Sequence, residues 1–132
     1  MFKAQDAMTK TVICARPEMP IYDAVRLLAH RNITGLPVVD PDLNLVGLLS
    51  EKDVLKMLYA TEDHEGQTVN DFMTTDTVSF DVNDSLIDLC DCLIDKPFRR
   101  VPITKDGKLM GITSRGDVIK AILKIKNQDI RD

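Results

Sequence analysis

Apolar side chains at Ile21, Ala24, Val25 and Leu28 follow the i, i+3, i+4, i+7 spacing that lays one stripe along an α-helix. The stripe returns at Leu86, Leu89, Cys90 and Leu93, each 65 residues further on. Both helices have a start signal: Pro20 suits a first helical position, and Asp84 or Ser85 can cap the second. After each stripe comes a short apolar run holding a proline, Leu36–Val39 and Val101–Thr104, then a turn rich in Asp, Asn or Gly. A second run follows, Leu45–Leu49 or Leu109–Thr113, at hairpin spacing. Val54, Leu55 and Leu58 then share a helical face, as do Val118, Ile122 and Ile125. With an opening strand near Val12 and Ile13, and again near Val78 and Ser79, each half reads strand, helix, strand, strand, helix.

The duplication extends to individual residues. Asp6-Ala7-Met8-Thr9 recurs as Asp71-Phe72-Met73-Thr74, and Pro37 as Pro102, all at an offset of 65. Gly47 and Asp53 recur as Gly111 and Asp117 at 64, so one residue is lost between Asp40–Asn44 and Lys105–Lys108, in a turn that tolerates it. Residues 59–68 are polar, acidic and turn-prone, a natural linker between units at 4–58 and 69–124. A half of about 60 residues buries only about 60% of its extended-chain surface, so the halves are expected to pack together.

Composition narrows the function. The chain has 132 residues, 44% apolar and 29% charged, with no apolar run of the roughly 18 residues needed to span a bilayer. Met1–Lys10 is polar where a secretory signal would be apolar, so a cytoplasmic location without membrane attachment is expected. A net charge of −4 and a pI near 5.1 argue against nucleic acid as a partner. Cys14, Cys90 and Cys92 are an odd count that cannot complete a disulfide framework, and with two histidines they form no metal-ligand spacing. His30 lies beside Arg31 at a helix end and His64 in the linker, neither placed near a nucleophile or an orienting carboxylate. The residues give no support to an enzyme.

The chemistry concentrates in Gly47–Asp53 and Gly111–Asp117. Each joins an apolar strand to Ser-x-x-Asp, at Ser50 and Asp53 and at Ser114 and Asp117. One reading is a capping box, in which both side chains satisfy orphan amides of the next helix. The other is a ligand site: a helix N-terminus favours phosphate, and a carboxylate on its first turn can accept both hydroxyls of a ribose. The two roles are compatible.

The ordered, duplicated set of Met-Thr, apolar-Pro-apolar and Gly-x-x-Ser-x-x-Asp resembles a tandem pair of CBS domains, a Bateman module, over residues 4–58 and 69–124. The resemblance implies an α/β fold of two β-α-β-β-α CBS repeats packed about a pseudo-two-fold axis, with two clefts for adenine-containing ligands such as AMP, ADP, ATP or S-adenosylmethionine. It implies that Asp53 and Asp117 accept ribose hydroxyls, that Ser50 and Ser114 lie near ribose or phosphate, and that groups near Ile13, Val78, Pro37 and Pro102 enclose the adenine. Arg115 falls where the family often carries an arginine that reaches phosphate. Its counterpart is Glu51, so the clefts should differ. Arg99 and Arg100 are further phosphate contacts or a solvated pair, and their counterparts are Thr34 and Gly35.

The expected function is therefore a regulatory module that senses an adenine nucleotide or nucleoside. Homodimers are common in the family, and only Asn127–Asp132 follow the closing helix, so the output is expected in trans on an effector protein that the sequence does not identify. The rival is an interaction or oligomerisation module whose clefts have decayed.

Overall fold

The first stripe lies along α1 (Ile21–Arg31), with Ile21, Ala24 and Leu28 buried and Val25 packed at the margin. A computed structural model describes residues 1–10, 12–59, 63–97 and 99–127. Residues 60–62 of the expected linker, and residues 128–132, lie outside the described residues. The chain divides into two units, Ile13–Thr77 and a second formed by Met1–Val12 with Val78–Asp132.

In the Ile13–Thr77 unit, β1 (Gly35–Val39) pairs antiparallel with β2 (Leu45–Ser50), and α2 (Glu51–Leu55) follows directly. Leu36, Val38 and Leu49 meet the α1 stripe together with Val69. Burying such a side chain fully is worth about 1.5–3 kcal/mol. Leu55 and Leu58 depart from expectation: they are 63% and 84% exposed, and only Val54 packs on the core. Their repeat counterparts Ile119 and Ile122 are likewise 60% and 47% exposed, so both units leave this apolar face uncovered.

In the other unit, β3 (Phe80–Asp81) lies parallel to β4 (Arg100–Lys105), which pairs antiparallel with β5 (Lys108–Ser114). Leu86, Leu89 and Leu93 of α3 (Leu86–Asp95) and Val118 and Ala121 of α4 (Arg115–Ile125) form its core with Val101 and Ile103. Ser85 caps α3 by accepting the Ile87 amide at 3.2 Å. Asp106 and Gly107, both at positive φ, make the two-residue turn between β4 and β5. The corresponding turn is one residue longer, and the Asp40 carboxylate ties it by accepting the Asp42 and Asn44 amides at 2.9 Å.

The opening strands sit slightly later than Val12 and Ile13, or Val78 and Ser79. They are a single parallel bridge of Ala15 to Val38 and the two residues of β3, where Phe80 faces Ile103. These pairs keep the offset of 65, and the shift has a cause in the prolines, described below.

The Met-Thr segments are exchanged relative to sequence order. Thr9 bridges Ile112 of β5, and Thr74 bridges Leu48 of β2, each through two backbone hydrogen bonds of 2.8–3.0 Å. Glycine is required beneath them: a Cβ on Gly111 would lie 2.8 Å from the Thr9 carbonyl oxygen, and one on Gly47 would lie 3.0 Å from that of Thr74.

Candidate functional site

Ser50 and Ser114 are the N-caps of α2 and α4, and both capping boxes are complete. The Asp117 Oδ2 accepts the Ser114 amide and hydroxyl, both at 2.9 Å, and Ser114 Oγ accepts the Asp117 amide at 3.2 Å. Asp53 Oδ2 accepts the Ser50 amide at 2.8 Å and hydroxyl at 3.0 Å. Capping therefore occupies one oxygen of each carboxylate.

The other oxygen faces a threonine. Thr9 Oγ1 donates to Asp117 Oδ1 at 3.1 Å, and Thr74 Oγ1 donates to Asp53 Oδ1 at 3.3 Å. Neither threonine stands among the candidate residues read from the sequence, although the repeated Met-Thr is the signal that points to them. A carboxylate offers about four acceptor positions, of which these contacts take three. Each Oδ1 thus already accepts one hydroxyl and keeps room for another.

The prolines act through what they lack. Ala15 N donates to the Pro37 carbonyl and Val39 N to the Ala15 carbonyl, both at 2.9 Å, the pattern of a parallel ladder. Its next rung toward the N-terminus would run from the residue 37 N–H to the Ile13 carbonyl, and proline has no N–H to give. Pro102 bars the same rung to Val78. Pairing thus begins at Ala15 and Phe80, leaving Ile13 and Val78 beside the sheet and 36% and 43% exposed. Pro37 and Pro102 are themselves fully buried, so their rings are not open to enclose an adenine.

The basic residues divide. Arg100 opens β4 in register with Ser114, beside the capping box, and Arg99 is exposed. Arg115 turns away: its Nε donates to the Leu93 carbonyl at 2.9 Å and a terminal nitrogen to that of Lys96 at 3.4 Å, at the end of α3. In the other unit Glu51 holds the Arg115 position and Gly35, opposite Ser50, holds that of Arg100.

Away from this site, Cys14, Cys90 and Cys92 are free and half-buried. Cys90 packs against the core, and burial followed by the Asp91 charge raises its thiol pKa. His64 is buried, with Nδ1 2.6 Å from Gln67 Oε1, Nε2 3.1 Å from the Met57 carbonyl oxygen and its ring edge-on to Phe72. His64 thus anchors the described part of the linker, whose other residues are mostly exposed. Among the described residues no group of three or more His, Cys, Asp or Glu could hold a metal ion, and no helix is long and apolar enough to cross a membrane.

The CBS domain matches residues 4–60 and 69–124, and the chain belongs to the CBS domain family as a tandem pair. It is 32% identical to the CBS domain-containing protein YhcV of Bacillus subtilis, over 97% of this chain and 89% of that protein. It is 31% identical to the chloroplastic CBS domain-containing protein CBSX2 of Arabidopsis thaliana over 86% of this chain, and the match spans 59% of that longer protein. The crystal structure of CBSX2 in complex with AMP superposes with a TM-score of 0.83 at 34% identity, covering 96% of this chain and 99% of that one. These likenesses establish the mixed α/β fold of a CBS pair.

Proposed function

We propose that this chain is a regulatory module that binds an adenine nucleotide or nucleoside, of the AMP, ADP, ATP or S-adenosylmethionine class, and passes occupancy in trans to an effector in the cytoplasm. The observation that carries this reading is the twice-built carboxylate whose outer oxygen already accepts a hydroxyl. A ribose presents two. One takes the open acceptor position of Asp53 or Asp117, and the second displaces the Thr74 or Thr9 hydroxyl. The carbonyls of Ile13 and Val78, which the prolines keep out of the ladder, suit the exocyclic amine of adenine, and Arg100 suits a phosphate near Asp117. The AMP complex of CBSX2 supports the same ligand class.

Coupling follows from differential affinity: a ligand shifts the module only as far as it binds one arrangement better than another. The exposed Ile87 and Ile94 of α3 and Ile119 of α4 offer an apolar surface for a homodimer. The same isoleucines favour the rival reading, an interaction module with no ligand. A thermal-shift panel of AMP, ADP, ATP, adenosine and S-adenosylmethionine, with GMP as control, separates the two. Stabilisation by adenine ligands above GMP supports the proposal. A flat panel hands the function to the interaction surface.

A further inference from the structure

Helices α1 and α3 are repeat partners that end differently. Asn32 terminates α1 in the left-handed conformation, at φ 53 and ψ 47, and its amide donates to the Leu28 carbonyl. The positions 65 residues later are Pro97 and Leu93. The Leu28 carbonyl also accepts the Ile33 amide at 3.3 Å. Proline has no N–H and cannot adopt positive φ, so the Leu93 carbonyl lacks the counterpart of the Asn32 donor. The Arg115 Nε donates to that same carbonyl at 2.9 Å. Its counterpart Glu51 has no donor to offer, and α1 needs none. Arginine at 115 thus compensates for proline at 97.

The geometry points to Arg115 as a phosphate-sensitive latch on the end of α3. This rests on the adenine-nucleotide reading above. Arg115 is the first residue of α4, two before Asp117, and is the cation closest in sequence to a ribose held there. A phosphate that draws the guanidinium away removes it from Leu93 and Lys96, and Pro97 has no N–H to take its place. The last turn of α3, where the Lys96 amide donates to the Cys92 carbonyl at 3.0 Å, then frays. Adenosine has no phosphate and leaves the latch closed. The ligand's phosphate would thus be read out at one helix end, on the helix that carries Ile87 and Ile94. The other unit has no such latch, because the Asn32 amide holds Leu28 whatever Glu51 does.

Hydrogen exchange on the full chain tests this, with AMP and adenosine at saturation and calorimetry confirming that each binds. Saturating AMP should speed exchange of the residue 92–96 amides roughly 3- to 10-fold, the fold-change for one hydrogen bond lost, with no change for adenosine. Pro97→Asn restores a backbone donor, and in that variant AMP should no longer alter the exchange. AMP binding with unchanged exchange at 92–96, an equal rise with adenosine, or a full AMP response in Pro97→Asn each overturns the latch and leaves the ligand reading standing. If neither AMP nor adenosine gives heat, the ligand reading fails and the latch falls with it.

Discussion

Asp117→Asn separates the two roles of this carboxylate because the structure indicates what the amide can replace. The asparagine oxygen, placed where Oδ2 lies, still accepts the Ser114 amide and hydroxyl at about their present 2.9 Å. Its NH2 then points at Thr9 Oγ1, and that 3.1 Å contact survives with the donor reversed. What disappears is a negative charge on the first turn of α4, worth about 0.3–1 kcal/mol, so Tm should fall by roughly 1–4 °C. Ligand binding should suffer more. The acceptor that faces the ribose becomes a donor, and losing a charge-assisted hydrogen bond of about 1.5–3 kcal/mol weakens affinity roughly 10- to 100-fold. The assay is thermal unfolding with AMP in an Asp53→Asn background, so that only the Asp117 site reports. At 100 times the parent Kd, AMP stabilises the parent by about 2.7 kcal/mol, while a Kd weaker by 10- to 100-fold leaves about 0.4–1.4 kcal/mol. A parent shift of roughly 10 °C thus shrinks to roughly 1–6 °C. An undiminished shift in Asp117→Asn would make this residue a cap alone.

Three further outcomes follow from the packing. Gly111→Ala drives a Cβ to 2.8 Å from the Thr9 carbonyl oxygen, so it should displace Met8 and Thr9 and cost about 1–3 kcal/mol in chemical denaturation. Thr113→Val strands the Ala7 carbonyl, which the buried hydroxyl satisfies at 2.7 Å, and should cost about 1–3 kcal/mol in the same measurement. The raised pKa of Cys90 leaves less thiolate at any pH below its titration, so Cys90 should alkylate more slowly than glutathione at pH 8, with the gap closing as pH rises. A Cys90 that reacts as fast as glutathione would contradict its packing against the core.

Features written in local spacing are legible in the sequence. The stripes of α1 and α3, the two hairpins, the shortened Asp106-Gly107 turn and both capping boxes each depend on residues a few positions apart. Contacts between distant residues are not. Thr9 reaches Asp117 across 108 positions, and the repeat names both partners without pairing them. The family pattern directs Arg115 to phosphate, yet its Nε donates to the Leu93 carbonyl, because only the fold brings the end of α3 to the start of α4. The family pattern also sets Pro37 and Pro102 beside the adenine, but their rings are buried and the missing N–H is what shapes the neighbouring surface. Leu55 and Leu58 read as core because apolar spacing marks a face without saying what covers it, and their counterparts Ile119 and Ile122 are exposed in the same way.

The central claim is that the carboxylates of Asp53 and Asp117, with the backbone at Ile13 and Val78, hold an adenine nucleotide. Amide chemical-shift mapping during an AMP titration tests it most directly. Saturable shifts should appear at Thr9, Val78, Ser114 and Asp117, and at Ile13, Ser50, Asp53 and Thr74, and should fade in the Asp53→Asn, Asp117→Asn double variant. No shifts would contradict the account, as would shifts confined to the groove of about 600 Å³ lined by Phe2, Asp6, Ala121 and Ile125.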